Sequence, residues 1–198
     1  MIPDNVHNIG IKMSGGCDSS IIAYMLCNQI KEKQLKINLI PITVDLKGKA
    51  FQIEFAKRVI DFLENEFDIK FGKHYTAFCP VPEKYISFQN ALVTNLYYEK
   101  IIDCHFNGIT KNPPNNSFNS WQDGPVDDRT GNVEQHEKSY WPLKNIDKKG
   151  VYELYKKYNL IDTLFPITRS CESWTNDFSK HCGECWWCKE REWGFGKL

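Results

Sequence analysis

Neither sign of charge prevails in this chain: 25 Lys and Arg stand against 25 Asp and Glu. That balance generates no long-range field, which argues against non-specific capture of nucleic acid or of an anionic membrane. Long apolar runs are missing too. None approaches the roughly 18 residues a membrane helix needs, and the first residues show no basic stretch leading into an unbroken apolar one. A soluble, unexported, cytoplasmic protein is the expectation. Internal repeats are absent, and low complexity is confined to the Asn/Pro cluster at 112–116. Nor do the cysteines form a disulfide framework. Cys17, Cys27, Cys79 and Cys104 are scattered singly, while Cys171, Cys182, Cys185 and Cys188 crowd the C-terminus. Such crowding is metal spacing in a reducing compartment.

What is present reads as one α/β unit, since 198 residues suffice to bury a real core. Val6 to Met13 alternates as a strand, and Asp18 to Lys33 has helical spacing with Ile21, Ile22, Met25 and Leu26 on its apolar side. A β-branched strand at Ile37 to Val44 precedes a helix carrying Phe51, Phe55, Val59, Ile60, Phe62 and Leu63. A strand at His74 to Cys79, a helix at Ile86 to Ile102 and a strand at His105 to Ile109 follow. Val151 to Tyr158 reads as a short final helix. Strand and helix in alternation predict a parallel sheet. Residues 111 to 140 carry many turn formers and little periodicity, as expected of an active-site cover or an unstructured connection.

Two familiar phosphate-binding signatures are missing from the glycine loop "SGGCDSS". It lacks the lysine of G-x-x-x-x-G-K-S/T and the three-glycine pattern G-x-G-x-x-G. Yet Ser14, Gly15 and Gly16 lie between a predicted strand and helix, where backbone N–H groups can close on a phosphate with the positive helix end behind them. Asp18 and Ser19 would otherwise merely cap that helix. Cys17, at the loop's variable position, suits a small buried residue better than a nucleophile. Asp45, ending the second strand, either faces the ligand crevice of an open α/β sheet or forms a turn.

The C-terminal cysteines offer four thiolates, the full tetrahedral set of a structural Zn²⁺ site, which would staple the tail to the body. An iron–sulfur cluster uses similar spacing, and His181 is an alternative ligand. Trp186 and Trp187 suit shielding of the metal better than ligand binding.

The loop resembles the signature S-G-G-x-D-S-S/T of the PP-loop, or N-type, ATP pyrophosphatases. That resemblance implies a three-layer α/β sandwich with a mainly parallel sheet, adenine nucleotide α-hydrolase-like, and cleavage of ATP between its α- and β-phosphates. It implies that Ser14, Gly15, Gly16, Ser19 and Ser20 hold pyrophosphate, and that Asp18 serves Mg²⁺ bound with ATP. A nucleotide-binding body at 1–165 and a zinc-binding segment at 166–198, packed as one unit, are expected.

The tail Cys171, Cys182-Gly183, Cys185, Cys188, Arg191 and Gly194-Phe195 is similar to the C-terminal motif of the 7-cyano-7-deazaguanine synthase family, nitrile-forming enzymes of the queuosine pathway. "YWPLKNIDKKGVYEL" resembles the family's P-L-x-x-L-S-K stretch, with Pro142, Leu143, Ile146, Asp147, Lys148 and Val151 in register, and "TRSC" resembles its T-W-S-C. Lys148 would be the cation near the phosphates; its plain alternative is a solvated lysine beside Lys144 and Lys149. Departures fall in the middle. Gly150 replaces a glutamate, Thr110 stands near an expected asparagine, and the substrate stretch survives only as "DGPVDDR", whose Gly124, Asp127 and Arg129 keep a G-x-x-D-x-R spacing. Asp127 and Arg129 are the candidate substrate contacts.

The resemblance implies a ligase that takes 7-carboxy-7-deazaguanine, ammonia and ATP, and relatives imply a homodimer. Two alternatives stand beside it. The same ATP chemistry could serve another acceptor, such as a modified base, a tRNA nucleoside or a protein carboxylate, although clustered basic residues for RNA are wanting. The chain could also be a zinc-stapled nucleotide-binding module without turnover.

Overall fold

Strand and helix alternate as their patterns require. The computed structural model describes residues 1–47, 51–120, 124, 138–172 and 179–198. In chain order these hold β1 (Asn8–Lys12), α1 (Cys17–Lys33), β2 (Asn38–Leu46), α2 (Gln52–Phe67), β3 (Tyr75–Cys79), α3 (Tyr85–Tyr98), β4 (Cys104–Phe106), β5 (Ser139–Tyr140), α4 (Lys148–Lys157) and α5 (Trp186–Phe195). All four strand pairs are parallel, and the sheet order is β3-β2-β1-β4-β5. The fold is therefore α/β, a five-stranded parallel sheet with helices on both faces.

Period-two alternation sorts the strands between two cores. Ile9, Ile11 and Met13 of the β1 segment join Ile21, Ile22 and Leu26 of α1, Val59 and Leu63 of α2, and Val151 and Tyr155 of α4 in the larger core. On the opposite face Ile40 and Ile42 of β2 meet Val93 and Leu96 of α3. α2 shows why this works: Phe55, Ala56, Val59, Ile60, Leu63 and Phe67 recur at helical spacing and are all buried. Each such side chain taken out of water contributes about 1.5–3 kcal/mol. Left-handed residues end the helices, Gln34 at φ 52° after α1 and Asp68 at φ 50° after α2.

The strand order reverses between β1 and β4, because β1 pairs with β2 on one side and with β4 on the other. Ligands of open α/β sheets bind at the carboxyl ends of strands flanking such a reversal. The glycine loop follows β1 at that point.

Three expectations need correction. The helix expected to run to Ile102 stops at Tyr98, where Lys100 takes φ 56° and Ile101 N–H bonds back to the Leu96 carbonyl, freeing Ile102 for the α3 core. The helix at 148–157 is not the last; α5 follows, its weak apolar periodicity masked by the cysteines, tryptophans and charges of "WWCKEREWGF". And the region 111–140 contains β5, a two-residue strand held by its ladder with His105 and Phe106 rather than by any local pattern.

Candidate nucleotide-binding site

The sheet hydrogen bonding continues into the loop. Met13 N–H donates to the Ile42 carbonyl at 2.9 Å, and the Thr43 hydroxyl donates to the Met13 carbonyl at 2.6 Å. The chain then turns through Gly15 at φ +73°, where a Cβ would lie 2.4 Å from Phe55 Cβ. Only glycine meets both demands, left-handed backbone and close approach to α2. The Ser19 and Ser20 hydroxyls donate to the Gly16 carbonyl at 3.2 and 2.8 Å, and Gly16 N–H donates to Ser14 Oγ at 3.3 Å. Gly16 is the N-cap of α1 and supplies no side-chain cap, so the positive helix end faces outward behind the loop. Gly108, after β4, comes so near that a Cβ there would sit 2.9 Å from Ser19 N.

A cleft of about 140 Å³ opens at this turn, lined by Ser14, Gly16, Asp18, Lys148, Arg169 and Glu190 among others. It is smaller than sites that enclose whole ligands, about 300–1,000 Å³, and has room for a group of phosphate size. Of the residues expected to hold a nucleotide, Ser14, Gly16 and Asp18 line this cleft, while Gly15, Cys17, Ser19 and Ser20 shape the turn behind it. Cys17 is buried, and burial pushes its thiol up to about 11, a small packed residue at neutral pH. Asp45 does not line the cleft. Its Oδ1 accepts from Gln52 N–H at 2.8 Å and Ile53 N–H at 3.2 Å, so it caps α2, and burial raises its pKa against those two hydrogen bonds.

Lys148 is not a solvated lysine. It is 3% exposed, its Nζ 2.5 Å from Asp18 Oδ2 and 3.2 Å from Glu190 Oε2. Burial works against the ammonium, but the carboxylates of Asp18 and Glu190 outweigh it and raise the pKa, so the lysine stays charged. Two local features deliver it. Asp147 caps α4 by accepting from Lys149 and Gly150 N–H, and Gly194 of α5 lies against the lysine stem, where a Cβ would meet Lys148 Cγ at 2.4 Å. Gly150 has no room for the glutamate of the resembled motif: a Cβ there would be 2.7 Å from Ile146 Cβ.

Arg191, 1% exposed, ties this wall to the tail. Its guanidinium donates to Thr168 Oγ1 at 2.8 Å and to the Phe165 carbonyl at 3.0 Å, and lies 3.7 Å from the Phe165 ring centroid. The segment Thr168–Cys171 is thereby pinned, and Arg169 N–H donates to the Gly15 carbonyl at 2.9 Å.

The structure brings the four predicted cysteines together. The Sγ atoms of Cys171, Cys182, Cys185 and Cys188 lie within 4.8 Å of one another, three of the residues being buried and Cys182 exposed, so the cluster can hold a metal ion. Backbone N–H groups of Glu184 and Cys185 point at Cys182 Sγ at 3.5 and 3.3 Å, where they would stabilise negative charge on the sulfur. His181 stands outside this set: its Nε2 accepts from Ser170 N–H at 3.4 Å, and burial with Arg191 and Arg169 nearby lowers its pKa to about 4. Trp187 packs on the cysteines, and Trp186 turns its edge to Trp187 with ring centroids 5.9 Å apart. Asp127 and Arg129 lie outside the described residues.

Arg169, Glu190 and Gln52 line the cleft without having been singled out from sequence. Glu190 was legible in principle: on a helix over 186–195 it shares a face with Gly194, four residues on, and both meet Lys148.

No protein-family model and no curated protein matches the sequence. Among solved structures, the chain is similar to the U34-tRNA thiolase of Methanococcus maripaludis, determined with its 4Fe–4S cluster. The two share 18% identity with a TM-score of 0.50 over 78% of this chain and 57% of that one. This likeness assigns the adenine nucleotide α-hydrolase-like fold. The chain thus spans little more than half of the thiolase's length. A slighter similarity links it to the NAD⁺ synthetase of Burkholderia pseudomallei, at 12% identity and a TM-score of 0.41 over 98% of this chain and 75% of that one. Among the described residues no helix is long and apolar enough to cross a membrane.

Proposed function

We propose that this protein is a PP-loop ligase that adenylates a small carboxylate, the substrate being of the 7-carboxy-7-deazaguanine type and the product its nitrile. The observation that carries the reading is the buried Lys148 ammonium paired with Asp18 at the mouth of a glycine turn, beside an uncapped helix end. Phosphate oxygens at the turn meet backbone N–H groups and the α1 dipole, while Lys148, kept charged, meets the negative charge that grows as pyrophosphate departs.

The chemistry balances in two activations. A carboxylate oxygen bonds to the α-phosphorus of ATP and the bond to the β-phosphate oxygen breaks, giving an acyl adenylate and pyrophosphate. Ammonia attacks the acyl carbon, AMP leaves, and the surplus proton passes to solvent. The amide oxygen then attacks a second ATP in the same way, and loss of AMP with the remaining nitrogen protons leaves the nitrile. The chain's contribution is positioning and charge stabilisation.

Asp18, with the phosphates of the substrate, is a suitable donor set for Mg²⁺, which neutralises charge on the leaving group. For the cysteine centre we propose Zn²⁺. A Zn–S bond of about 2.3 Å makes a tetrahedron edge of about 3.8 Å, and Cys182 Sγ lies 3.8 Å from Cys188 Sγ. A cubane cluster binds each thiolate to a different iron and needs the sulfurs farther apart. With four thiolates no coordination position is left open, so the ion's role is structural. Association of two chains is part of the proposal and is tested by sedimentation.

Incubation with 7-carboxy-7-deazaguanine, ammonium and Mg-ATP is expected to yield AMP, pyrophosphate and the nitrile, and Asp18→Asn to lower AMP release about 100-fold or more. Formation of ADP and phosphate instead, or of nothing, overturns it. A second reading keeps the activation and changes the acceptor to a tRNA nucleoside, favoured by the fold shared with a tRNA thiolase. Mass spectrometry of tRNA after incubation with ATP separates the two.

A further inference from the structure

A second, larger cavity lies on the other face of the sheet. It measures about 820 Å³, within the range of small-molecule sites, and sits between α3 and the carboxyl ends of β1, β4 and β5. Interior strands of a parallel sheet are normally apolar on both faces. Here the α3 face carries Lys12 on β1, His105 on β4 and Ser139 on β5.

Lys12 is the anomaly. It is 8% exposed on a central strand, and its Nζ donates to Asn90 Oδ1 of α3 at 3.0 Å. No carboxylate answers its charge among the described residues, and burial alone lowers its pKa to about 8. A desolvated ammonium with donors to spare, lining a cavity, calls for an anion.

The wall beside it is held by a chain of hydrogen bonds. The Trp141 indole donates to Ser139 Oγ at 2.7 Å, and the Ser139 hydroxyl meets His105 Nε2 at 3.0 Å. His105 Nδ1 meets the Tyr97 hydroxyl, which donates to the Lys138 carbonyl at 2.8 Å. Because Tyr97 gives its proton to that carbonyl, its oxygen accepts from His105, which donates through Nδ1. The remaining lining pairs flat or aliphatic surfaces, Trp141 and Val93, with the amides Gln89 and Asn107, and an exposed cation, Lys138, stands at its edge.

We infer that this cavity binds a planar heteroaromatic anion, its carboxylate on Lys12 Nζ, its ring against Trp141 and Val93, and its polar edge on the amides. Taken with the proposed adenylation, on which this assignment of a role rests, it is the acceptor pocket. Lys12 precedes Ser14 by two residues, about 7 Å of strand, so a carboxylate held there stands at the rim of the sheet across from the phosphate cleft. The two sites share no lining residue.

Calorimetric titration of the full-length, metal-loaded chain with 7-carboxy-7-deazaguanine tests this, with uncharged 7-deazaguanine as control. Lys12→Met is expected to weaken the carboxylate about 10-fold or more while shifting 7-deazaguanine by about 2-fold at most, and Lys12→Arg to retain most of the affinity. Asp18→Asn should leave carboxylate binding intact. Equal affinities in the parent and Lys12→Met, no binding to the parent, or loss of binding in Asp18→Asn alone each overturns the inference. Lys12-dependent binding without any AMP release leaves the pocket standing and removes the proposed reaction.

Discussion

Replacing Lys12 by methionine should make the folded chain more stable. Burial lowers the ammonium's pKa from 10.5 to about 8. At about 1.4 kcal/mol per unit, the charged native form is penalised by roughly 3 kcal/mol at neutral pH. Methionine keeps most of the stem and removes the charge. The lost bond to Asn90 returns about 1 kcal/mol at most, since Asn90 is exposed and rehydrates. A net gain of about 2 kcal/mol remains, or about 4–8 °C in melting temperature for a chain of this length. The pH dependence is specific. Between pH about 8 and 10.5 the unfolded chain holds a proton that the native chain has lost, so the parent gains stability as pH rises through that window. The variant's advantage is therefore complete below pH 8 and fades toward pH 10.5. Urea unfolding of both proteins at about pH 7 and about pH 10 measures it. A variant less stable than the parent at neutral pH, or a gap that ignores pH, refutes the reasoning. Stabilisation together with lost ligand affinity is what a residue retained for binding should show.

Three further outcomes are expected. Gly15→Ala imposes a left-handed alanine, about 1–2 kcal/mol, and drives its Cβ to 2.4 Å from Phe55 Cβ; calorimetry should find ATP affinity reduced about 10-fold with a lower melting temperature, and unchanged affinity would place the nucleotide elsewhere. Gly150→Glu, though it restores the residue of the resembled motif, should destabilise by about 1–3 kcal/mol because Ile146 Cβ would lie 2.7 Å from the new Cβ, and a rise in turnover would contradict that packing. Metal analysis should find one zinc per chain, and its removal by chelation should lower the melting temperature and the helical circular dichroism as α5 loosens, since Cys185 and Cys188 anchor that helix; iron and sulfide in place of zinc would reverse the metal assignment.

How far the chain could be read depended on whether the cause of each feature was local. β1, α1, β2, α2 and β3 follow from apolar spacing within their own residues, and the glycine turn from a strand–helix junction that only small residues permit. The cysteine cluster was equally legible, because ligand spacing is written along the chain. β5 could not be read: two residues acquire strand geometry only from the ladder offered by β4. α5 escaped notice because its buried side, Cys188, Arg191, Gly194 and Phe195 with Glu190, is not apolar in composition and is covered by partners from elsewhere in the chain.

The site divides in the same way. Residue type and spacing alone determined the turn at Ser14–Ser20 and the four thiols, while Lys148 became a candidate through the resemblance of its stretch to a family motif. Tertiary structure alone decided that Lys148 is buried between Asp18 and Glu190, that Asp45 caps α2 instead of lining the cleft, and that Lys12 looks into a cavity where no carboxylate among the described residues meets it. The reason is one of range: backbone conformation and ligand spacing are set by neighbours along the chain, whereas the solvation of a charge depends on what the fold packs around it from far away in sequence.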